Sequence, residues 1–575
     1  MKIKEFTQAE KLMIEGKFNE ALKIVEDIEK REPLPVTELL TFRLLKSKIL
    51  NKQGHYEKAL KLAEQILQES QNLGQSLQEI DAIIEIATAL DRLGRIDESL
   101  AVITQGEQTF QSLTQEFSSK SAQKKQPVDF TKREASLLSC KAWVYIAKSD
   151  FDRALEFLQQ SLALRKELGH KQDIATAFNN IGIIYWYKGD FNRALECYQQ
   201  SLLLREEIGN KQDIAASLNN IGAIYGRKGE LDHSLEYHQR SLVLREELGN
   251  KKHIATSLNN VGVIYFNKGE LDRALEYYQR SLTLRKELGN KQDIAASLNN
   301  MGIIYMQKGE LDWAWEHLEQ SLTLFEEAGN NLYSSESLFS LVIVALEKHS
   351  LELARRYLQR LQEINSQEEN KIINQNYRVA KALVLKTSTR MRNRAKSEEL
   401  LEQVVEEEIL NFELVITALL HLCELLLIDL RLSGDPEVLS ELQARVTKLV
   451  DIAKKENLHW LLAETYILQS KLALLELDIQ GAQRLLEIAH LTSQERGLKR
   501  LTIKIAYEKA SFQEQIAKWE HLLERDASMT ERLDLAQLEV MIMRMARKRL
   551  EVTEQDTLDY AQQVQELVEA LKEDK

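Results

Sequence analysis

The sequence predicts an all-α solenoid built from antiparallel helix pairs. A unit of about 40 residues repeats four times between roughly residues 173 and 330. Two sets of glycines mark it, each with members 40 residues apart: Gly182, Gly222, Gly262 and Gly302, and Gly189, Gly229, Gly269 and Gly309. A fixed period in this range is typical of stacked supersecondary units. Only four prolines occur in 575 residues, and residues that favour helices dominate the rest of the chain.

Each repeat is predicted to contain two helices. In the second of the four clear repeats, Asp213 is a candidate N-cap for a first helix that contains IAASLNNIGAIYGRK. Gly229 is predicted to end this helix in a left-handed conformation. A second helix, LDHSLEYHQRSLVLREEL, follows from Asp232 and ends at Gly249. The chain therefore alternates between helices and short turns.

The residues at fixed offsets resemble the tetratricopeptide repeat family. The matching positions are Phe178, Ile181, Gly182, Tyr185, Gly189, Ala194, Tyr198 and Ser201. The 40-residue length, the LNN-x-G motif and the ELGNKQD loop are most similar to the branch that includes kinesin light chains and spindle-orientation adaptors. The resemblance implies a right-handed superhelix of antiparallel helix pairs whose concave groove binds peptides. The small Gly182 and Ala194 are expected to let the two helices of a unit approach closely.

Weaker forms of the pattern extend in both directions. Upstream, Gly16, Gly54 and Gly94 mark units, and Ser149 marks the next one 55 residues after Gly94, which implies about 15 inserted residues. We predict five segments: N-terminal repeats at 1–113, a polar insertion or hinge at 114–134, the central array at 135–365, irregular repeats at 366–521, and capping helices with an acidic tail at 522–575. The last segment contains a cluster of methionines, which is typical either of a helix that caps the core or of a promiscuous binding surface.

Composition excludes several classes of function. The net charge of −13 argues against a nucleic-acid partner, which requires a basic surface. No run of eighteen uncharged apolar residues occurs, so we expect no membrane insertion. The three cysteines are scattered, which predicts a reducing, cytoplasmic environment and no metal site. Catalytic motifs are absent, and we expect a protein that is not an enzyme and has no cofactor.

The candidate binding residues lie on the first helix of each 40-residue repeat. Thr176, Asn180, Ile183 and Tyr187 follow at spacings of four, three and four, so they share one helical face. The resemblance implies that this face lines the concave groove and that the asparagines contact a peptide. The predicted set is Asn180, Asn220, Asn260, Asn300, Ile183, Tyr187, Arg227, Val263, Asn267, Ile303 and Gln307, with Trp186 and Phe266 at its edge.

Two interpretations of the asparagines stay open. An Asn amide offers a donor and an acceptor, so a row of them can bind the main chain of an extended peptide. Alternatively, each amide bonds to the neighbouring repeat and is structural. The preceding asparagines are expected to face the adjacent repeat: Asn179, Asn219, Asn259 and Asn299. Arg227 is the one cation in the predicted set, which differs from the Lys- and Arg-rich clamp that some relatives use for a terminal carboxylate.

The sequence favours a scaffold or adaptor that binds a peptide or helix of another protein. The alternative is a regulator or sensor that changes its superhelical shape when it binds a signal peptide or effector. A third possibility is an accessory subunit of an enzyme, which would have one constant partner. Compaction in small-angle scattering after ligand addition would favour the regulator over the adaptor. The partner and the oligomeric state are not specified by the sequence.

Overall fold

The computed structural model describes residues 2–14, 17–31, 34–120, 127–388, 390–407, 409–496, 498–525 and 527–546. The described residues are 88% helical, with 27 helices and no strand. This confirms the predicted all-α solenoid of helix pairs. None of the helices in these ranges is both long and apolar enough to cross a membrane.

The helices alternate between a first and a second helix of successive pairs. Up to residue 248 they are α1 Lys2–Ile14, α2 Phe18–Arg31, α3 Val36–Gln53, α4 Tyr56–Asn72, α5 Ser76–Arg92, α6 Ile96–Lys120, α7 Val128–Ala147, α8 Phe151–Leu168, α9 Lys171–Tyr187, α10 Phe191–Ile208, α11 Lys211–Arg227 and α12 Leu231–Leu248. Beyond it they are α13 Lys251–Asn267, α14 Leu271–Leu288, α15 Lys291–Lys308, α16 Leu311–Glu327, α17 Asn331–Glu347, α18 Leu351–Gln367, α19 Lys371–Lys386, α20 Met391–Glu406, α21 Phe412–Ser433, α22 Pro436–Lys455, α23 His459–Leu475, α24 Ile479–Glu495, α25 Lys499–Glu524, α26 Met529–Ala536 and α27 Leu538–Ala546.

The chain forms two compact units. One comprises Met1–Ile224 with Arg240–Leu248, and the other comprises Tyr225–Gln239 with Gly249–Lys575. Within each unit a first helix packs on the second helix of its own pair, as α9 does on α10 and α13 on α14. In the second unit the first helices also contact one another in succession, as α17 contacts α19 and α19 contacts α21. The first helices of that unit therefore lie side by side and form one continuous layer.

The helix starts differ from the prediction at one recurring position. The expected N-cap Asp213 lies inside the first turn of α11, and the cap is Asn210, whose Oδ1 accepts the backbone N–H groups of Gln212 and Asp213 at 3.1 and 3.2 Å. Asn290 caps α15 in the same way. An Asp in the first turn is still favourable, because its carboxylate lies at the positive end of the helix dipole. The glycine after each first helix has the predicted left-handed conformation, as at Gly229 with φ 72°.

Close approach of the two helices in a pair depends on a glycine. A Cβ atom added to Gly182 would lie 2.7 Å from the Tyr198 ring, and one added to Gly302 would lie 2.7 Å from Leu318 Cγ. Real Cβ contacts are not this short. The space beside Gly182 is therefore filled by Tyr198, which is buried.

Two sets of hydrogen bonds recur with the repeat. Within a pair, a buried serine of the second helix donates to a carbonyl of the first helix, as Ser201 does to Ala175 at 2.8 Å and Ser281 to Ala255 at 2.8 Å. Between pairs, an arginine near the end of a second helix donates to a carbonyl in the first turn of the next helix. These arginine bonds are Arg165 to Asp173 at 3.0 Å, Arg205 to Asp213 at 3.0 Å and Arg285 to Asp293 at 2.8 Å.

An ion pair shows that the repeat register continues past the predicted insertion. Lys268 pairs with Asp232 at 2.5 Å and Lys308 with Asp272 at 3.1 Å, each 36 residues apart. Lys148 makes the equivalent pair with Asp97 at 3.0 Å, 51 residues away. The difference equals the predicted 15 extra residues. Part of this length is taken up by α6, which continues to Lys120.

The five predicted segments stay a prediction. The segment 114–134 contains the end of α6 and the start of α7, with residues 121–126 outside the described ranges. Gly16 and the acidic tail from residue 551 also lie outside them.

Substituting Gly182 with Ala should destabilise the first unit. The added methyl group must displace the Tyr198 ring, and overpacking of this kind costs about 1–3 kcal/mol, against a gain of about 1 kcal/mol in helix propensity. Urea unfolding followed by circular dichroism should show a lower midpoint. Gly226→Ala is the matched control, because its Cβ would lie 3.2 Å from the Ser234 hydroxyl oxygen, a longer contact than the 2.7 Å at Tyr198. Equal midpoints for the two variants would contradict the packing described here.

Substituting Arg205 with Ala should also destabilise the first unit. The buried guanidinium bonds to the carbonyl of Asp213 and, at 2.8 Å, to the hydroxyl of Ser217, so its loss leaves two acceptors unpaired at a cost of about 2–3 kcal/mol. The exposed Lys211–Glu247 ion pair provides the control, since Lys211→Ala should cost at most about 0.5 kcal/mol. Hydrogen exchange of α10 and α11 measures both effects. A loss of protection no larger for Arg205→Ala than for Lys211→Ala would disprove the role of the arginine.

Candidate functional site

The four predicted asparagines occupy the same position on α9, α11, α13 and α15. Each asparagine is half-buried, whereas the next residue along its helix is buried, as Ile181 and Ile221 show. Their side chains are therefore accessible to solvent from the side of the helix that faces away from the second helices. We call this side of the first helices the first-helix face.

In the first unit, the structure gives Asn180 and Asn220 different roles. Asn220 donates from Nδ2 to Oδ1 of Asn179 in the preceding repeat at 3.0 Å. This bond is the structural role that was left open, and it uses the amide donor of Asn220 and the acceptor of Asn179. Asn180 makes no side-chain hydrogen bond to any residue in the described part of the chain. One asparagine of this unit is thus engaged between repeats, and the other keeps both of its hydrogen-bonding groups.

In the second unit, Asn300 is similar to Asn180. Its amide makes no side-chain hydrogen bond within the described ranges, although it is half-buried. The neighbouring Asn299 accepts a bond from the Ser337 hydroxyl of the next repeat at 3.3 Å. The prediction that the preceding asparagines face the adjacent repeat agrees with this bond and with the one at Asn179. Asn260 is half-buried in the same position.

The predicted apolar and polar neighbours line the same face. Ile183, Val263 and Ile303 are half-buried, as are Trp186, Phe266 and Gln307, whereas Arg227 and Asn267 are exposed. The ring of Tyr187 is 56% exposed and stacks on Phe151 with a centroid distance of 5.4 Å. Each asparagine therefore has a partly accessible aliphatic side chain close to it in sequence, on the same side of the helix. Within each unit, these residues combine amide groups with apolar surface.

In the second unit, the next repeat adds a carboxylate that was not predicted. Glu336 on α17 lies 160 residues, or four repeats, after Thr176, at the repeat position four residues before the asparagine. Burial and the nearby Glu413 raise the pKa of Glu336 to about 6. The position could have been found by continuing the 40-residue count beyond the four clear repeats. One further repeat along, Asn376 donates to the Ser335 hydroxyl at 3.1 Å.

In the first unit, the first helices before α7 also carry charged side chains that were not predicted. Glu85 on α5 accepts a 2.8 Å bond from the Asn51 amide, and burial raises the pKa of its carboxyl group although Lys48 and Lys52 are near. Burial and the charge of Lys48 lower the pKa of Lys52. Only the degraded repeat at Gly54 marks this region in the sequence.

The chemistry of the described residues gives no sign of catalysis. No group of three or more His, Cys, Asp or Glu side chains in the described ranges could hold a metal ion. Burial raises the pKa of the Cys140 and Cys423 thiols to about 12 and that of Cys197 to about 11, so all three stay protonated near neutral pH. The absence of enzymatic activity stays a prediction.

Replacing Glu336 with Gln should stabilise the protein at high pH. The pKa of Glu336 is raised from 4.5 to about 6, so the folded state retains a proton that the unfolded state has lost. Folding stability therefore falls as the pH rises through this window, and Gln removes the loss. After allowance for partial solvent screening, the gain should be about 1 kcal/mol near pH 8 and should vanish below about pH 4.5.

The check is the urea midpoint of wild type and variant across this pH range. Glu352→Gln, at an exposed position on α18, is the control. A gain for Glu336→Gln that did not change with pH would refute the assigned titration.

Comparison with known proteins agrees with the helix pairing. The tetratricopeptide repeat model matches residues 133–207, 213–287 and 293–367. No curated protein matches the sequence. The identification therefore rests on the family model and on the repeat geometry.

Several solved structures are similar over part of the chain. The apo quorum sensor NprR from B. thuringiensis is 16% identical, covers 65% of this chain and 99% of its own, and has a TM-score of 0.47. Aspartyl phosphate phosphatase F from Bacillus subtilis is 14% identical over 65% and 96%, with a TM-score of 0.43. A putative kinesin light chain from Podosopora anserina with nearly identical TPR-like repeats is 17% identical over 35% and 97%, with a TM-score of 0.32. Between residues 133 and 367, the chain carries repeats that match the tetratricopeptide repeat family model.

Proposed function

We propose that the chain is a non-enzymatic scaffold that binds a peptide or helical segment of a partner protein on the first-helix face of its central repeats. The observation that carries the proposal is the state of Asn180 and Asn300. Both amides are half-buried on an accessible face, and neither makes a side-chain hydrogen bond within the described ranges. The polar atoms of both amides reach solvent, so a ligand can bond to them in place of water.

The groups on this face suit the main chain of a peptide. An Asn side chain can donate to a peptide carbonyl and accept from a peptide N–H at the same time. Ile183 in the first unit and Val263 and Ile303 in the second would cover apolar side chains of the ligand. Because each unit carries its own asparagines, each can be tested by itself.

The remaining parts of the proposal follow from composition and charge. A net charge of −13 does not favour nucleic acid, and we propose a protein partner in the cytoplasm. In the second unit, Glu336 and Glu413 add negative charge to the first helices that follow the asparagines. A ligand that reaches this region would gain from a basic residue.

Alanine at the asparagines should weaken peptide binding. Peptides would be selected from a random displayed library against the full chain, and their Kd measured by fluorescence anisotropy. Two hydrogen bonds worth about 1 kcal/mol each correspond to a roughly 30-fold weaker Kd for Asn260→Ala combined with Asn300→Ala, if the ligand binds the second unit. Asn180→Ala combined with Asn220→Ala tests the first unit.

The control is Lys211→Ala combined with Lys251→Ala, which removes two exposed ion pairs at 2.8 and 2.9 Å and no residue of the first-helix face. Circular dichroism must show intact helices for every variant. If the control weakens binding as much as both asparagine variants do, or if no variant has an effect, the proposed site is wrong.

A further inference from the structure

The last two described helices do not continue the series of pairs. α26 and α27 follow the 26-residue α25 but contact α21 and α23, the first helices of two earlier pairs. Ser528 starts α26 with a capping box, and Gln537 separates the two helices in a left-handed conformation with φ 50°. The segment 527–546 is therefore a locally defined helical hairpin that returns to the first helices of the second unit.

The apolar contacts of α27 follow the spacing of a helix bound in a groove. Leu538, Met541, Ile542 and Met545 stand at intervals of i, i+3, i+4 and i+7, and all are buried. They belong to the same apolar cluster as residues of α21 and α23 such as Leu425 and Leu468. This spacing of anchors is how amphipathic helices insert into hydrophobic grooves of other proteins.

Charged side chains hold both ends of α27. Arg431 of α21 donates to both carboxylate oxygens of Glu539 at 2.7 and 3.0 Å and to Asp534 at 2.9 Å. At the other end, Arg544 donates to Glu464 of α23 at 3.0 Å. A bidentate pair of this kind fixes orientation as well as position. The opposite charges at the two ends define one direction for the helix.

The break between α26 and α27 is held through the main chain. Lys471 of α23 donates to the carbonyl of Ala536 at 2.9 Å. In return, Arg532 of α26 donates to the carbonyl of Leu475, at the end of α23, at 3.0 Å. One side-chain-to-main-chain bond therefore runs in each direction between the segment and α23.

We propose that residues 527–546 are a ligand in cis that occupies the first-helix face of α21 and α23. When the segment leaves, this face binds a partner helix of the same chemistry: apolar anchors at i, i+3, i+4 and i+7, a carboxylate beside the first anchor and an arginine before the last. The inference does not depend on the function proposed above, because it concerns different helices and a different ligand.

The cis arrangement also explains why residues 527–546 cover the first-helix face of α21 and α23 in the intact chain. A tethered segment acts at an effective concentration in the millimolar range, so a free helix of equal intrinsic affinity competes poorly. A partner gains access by binding more tightly or after the segment has been loosened. Residues 527–546 thereby regulate which partner helices can bind to α21 and α23.

The test uses the full chain with Leu538→Asp and Ile542→Asp, which removes two anchors from the segment and leaves α21 and α23 unchanged. A fluorescein-labelled peptide with the wild-type sequence of residues 527–546 is then added, and its anisotropy is measured. We expect binding to the released variant and at least about 100-fold weaker binding to the wild-type chain. No binding to the released variant would overturn the proposal.

Charge reversal tests the direction of the helix. A peptide with Asp534→Arg, Glu539→Arg and Arg544→Glu should bind the released chain at least about tenfold more weakly than the wild-type peptide. The same reversed peptide should recover affinity for a released chain that also carries Arg431→Glu and Glu464→Arg. Equal affinities throughout would show that the assigned pairs do not recognise the segment.

Hydrogen exchange separates a ligand from a structural cap. In the single variant Glu539→Arg, exchange should accelerate about tenfold in α26 and α27 while α21 to α24 stay protected. In the released variant, the added peptide should restore any protection that α21 to α24 have lost. Loss of protection across α21 to α24 that the peptide does not restore would show that the segment is part of the core.

Discussion

The bond between an arginine at the end of one pair and a carbonyl at the start of the next is the interaction on which the rest of the array depends. Arg205 and Arg285 each place a guanidinium against the first turn of the following helix, and each also bonds to a serine one turn further on. Burial lowers the pKa of both side chains, yet both keep hydrogen-bonded partners. Because the same atoms meet at both of these joints, the angle between pairs is set locally there, and the orientations of Asn220 and Asn300 on the first-helix face follow from it.

The architecture could be predicted because it is periodic. Glycines such as Gly182 and Gly229 recur at 40-residue intervals for two separate reasons, a close contact and a left-handed turn, and both reasons are visible in the sequence. The position of the helix starts was less predictable. Asp213 and Asn210 are both good capping residues three positions apart, and only the hydrogen bonds decide between them.

The roles of individual site residues could not be predicted from the pattern. Asn180 and Asn220 are equivalent in sequence, but only Asn220 has a bond to the repeat before it in the first unit. That difference depends on side-chain rotamers and on the distance between adjacent helices, which no spacing rule supplies. Glu336 was missed because the repeat containing it has lost the asparagine motif, and the contacts of α27 were missed because they join residues about 100 positions apart without any period.

The repetition of one joint has a consequence for how such a chain can change in length. Arg205 meets Asp213 and Arg285 meets Asp293 at the same separation of eight residues, so the removal or duplication of one 40-residue unit would present each arginine with an equivalent carbonyl. The array is modular in the sense that its joints do not record how many units it contains. Gain or loss of a whole unit in evolution would therefore alter the number of asparagine positions in steps of one, without requiring any new contact to be invented.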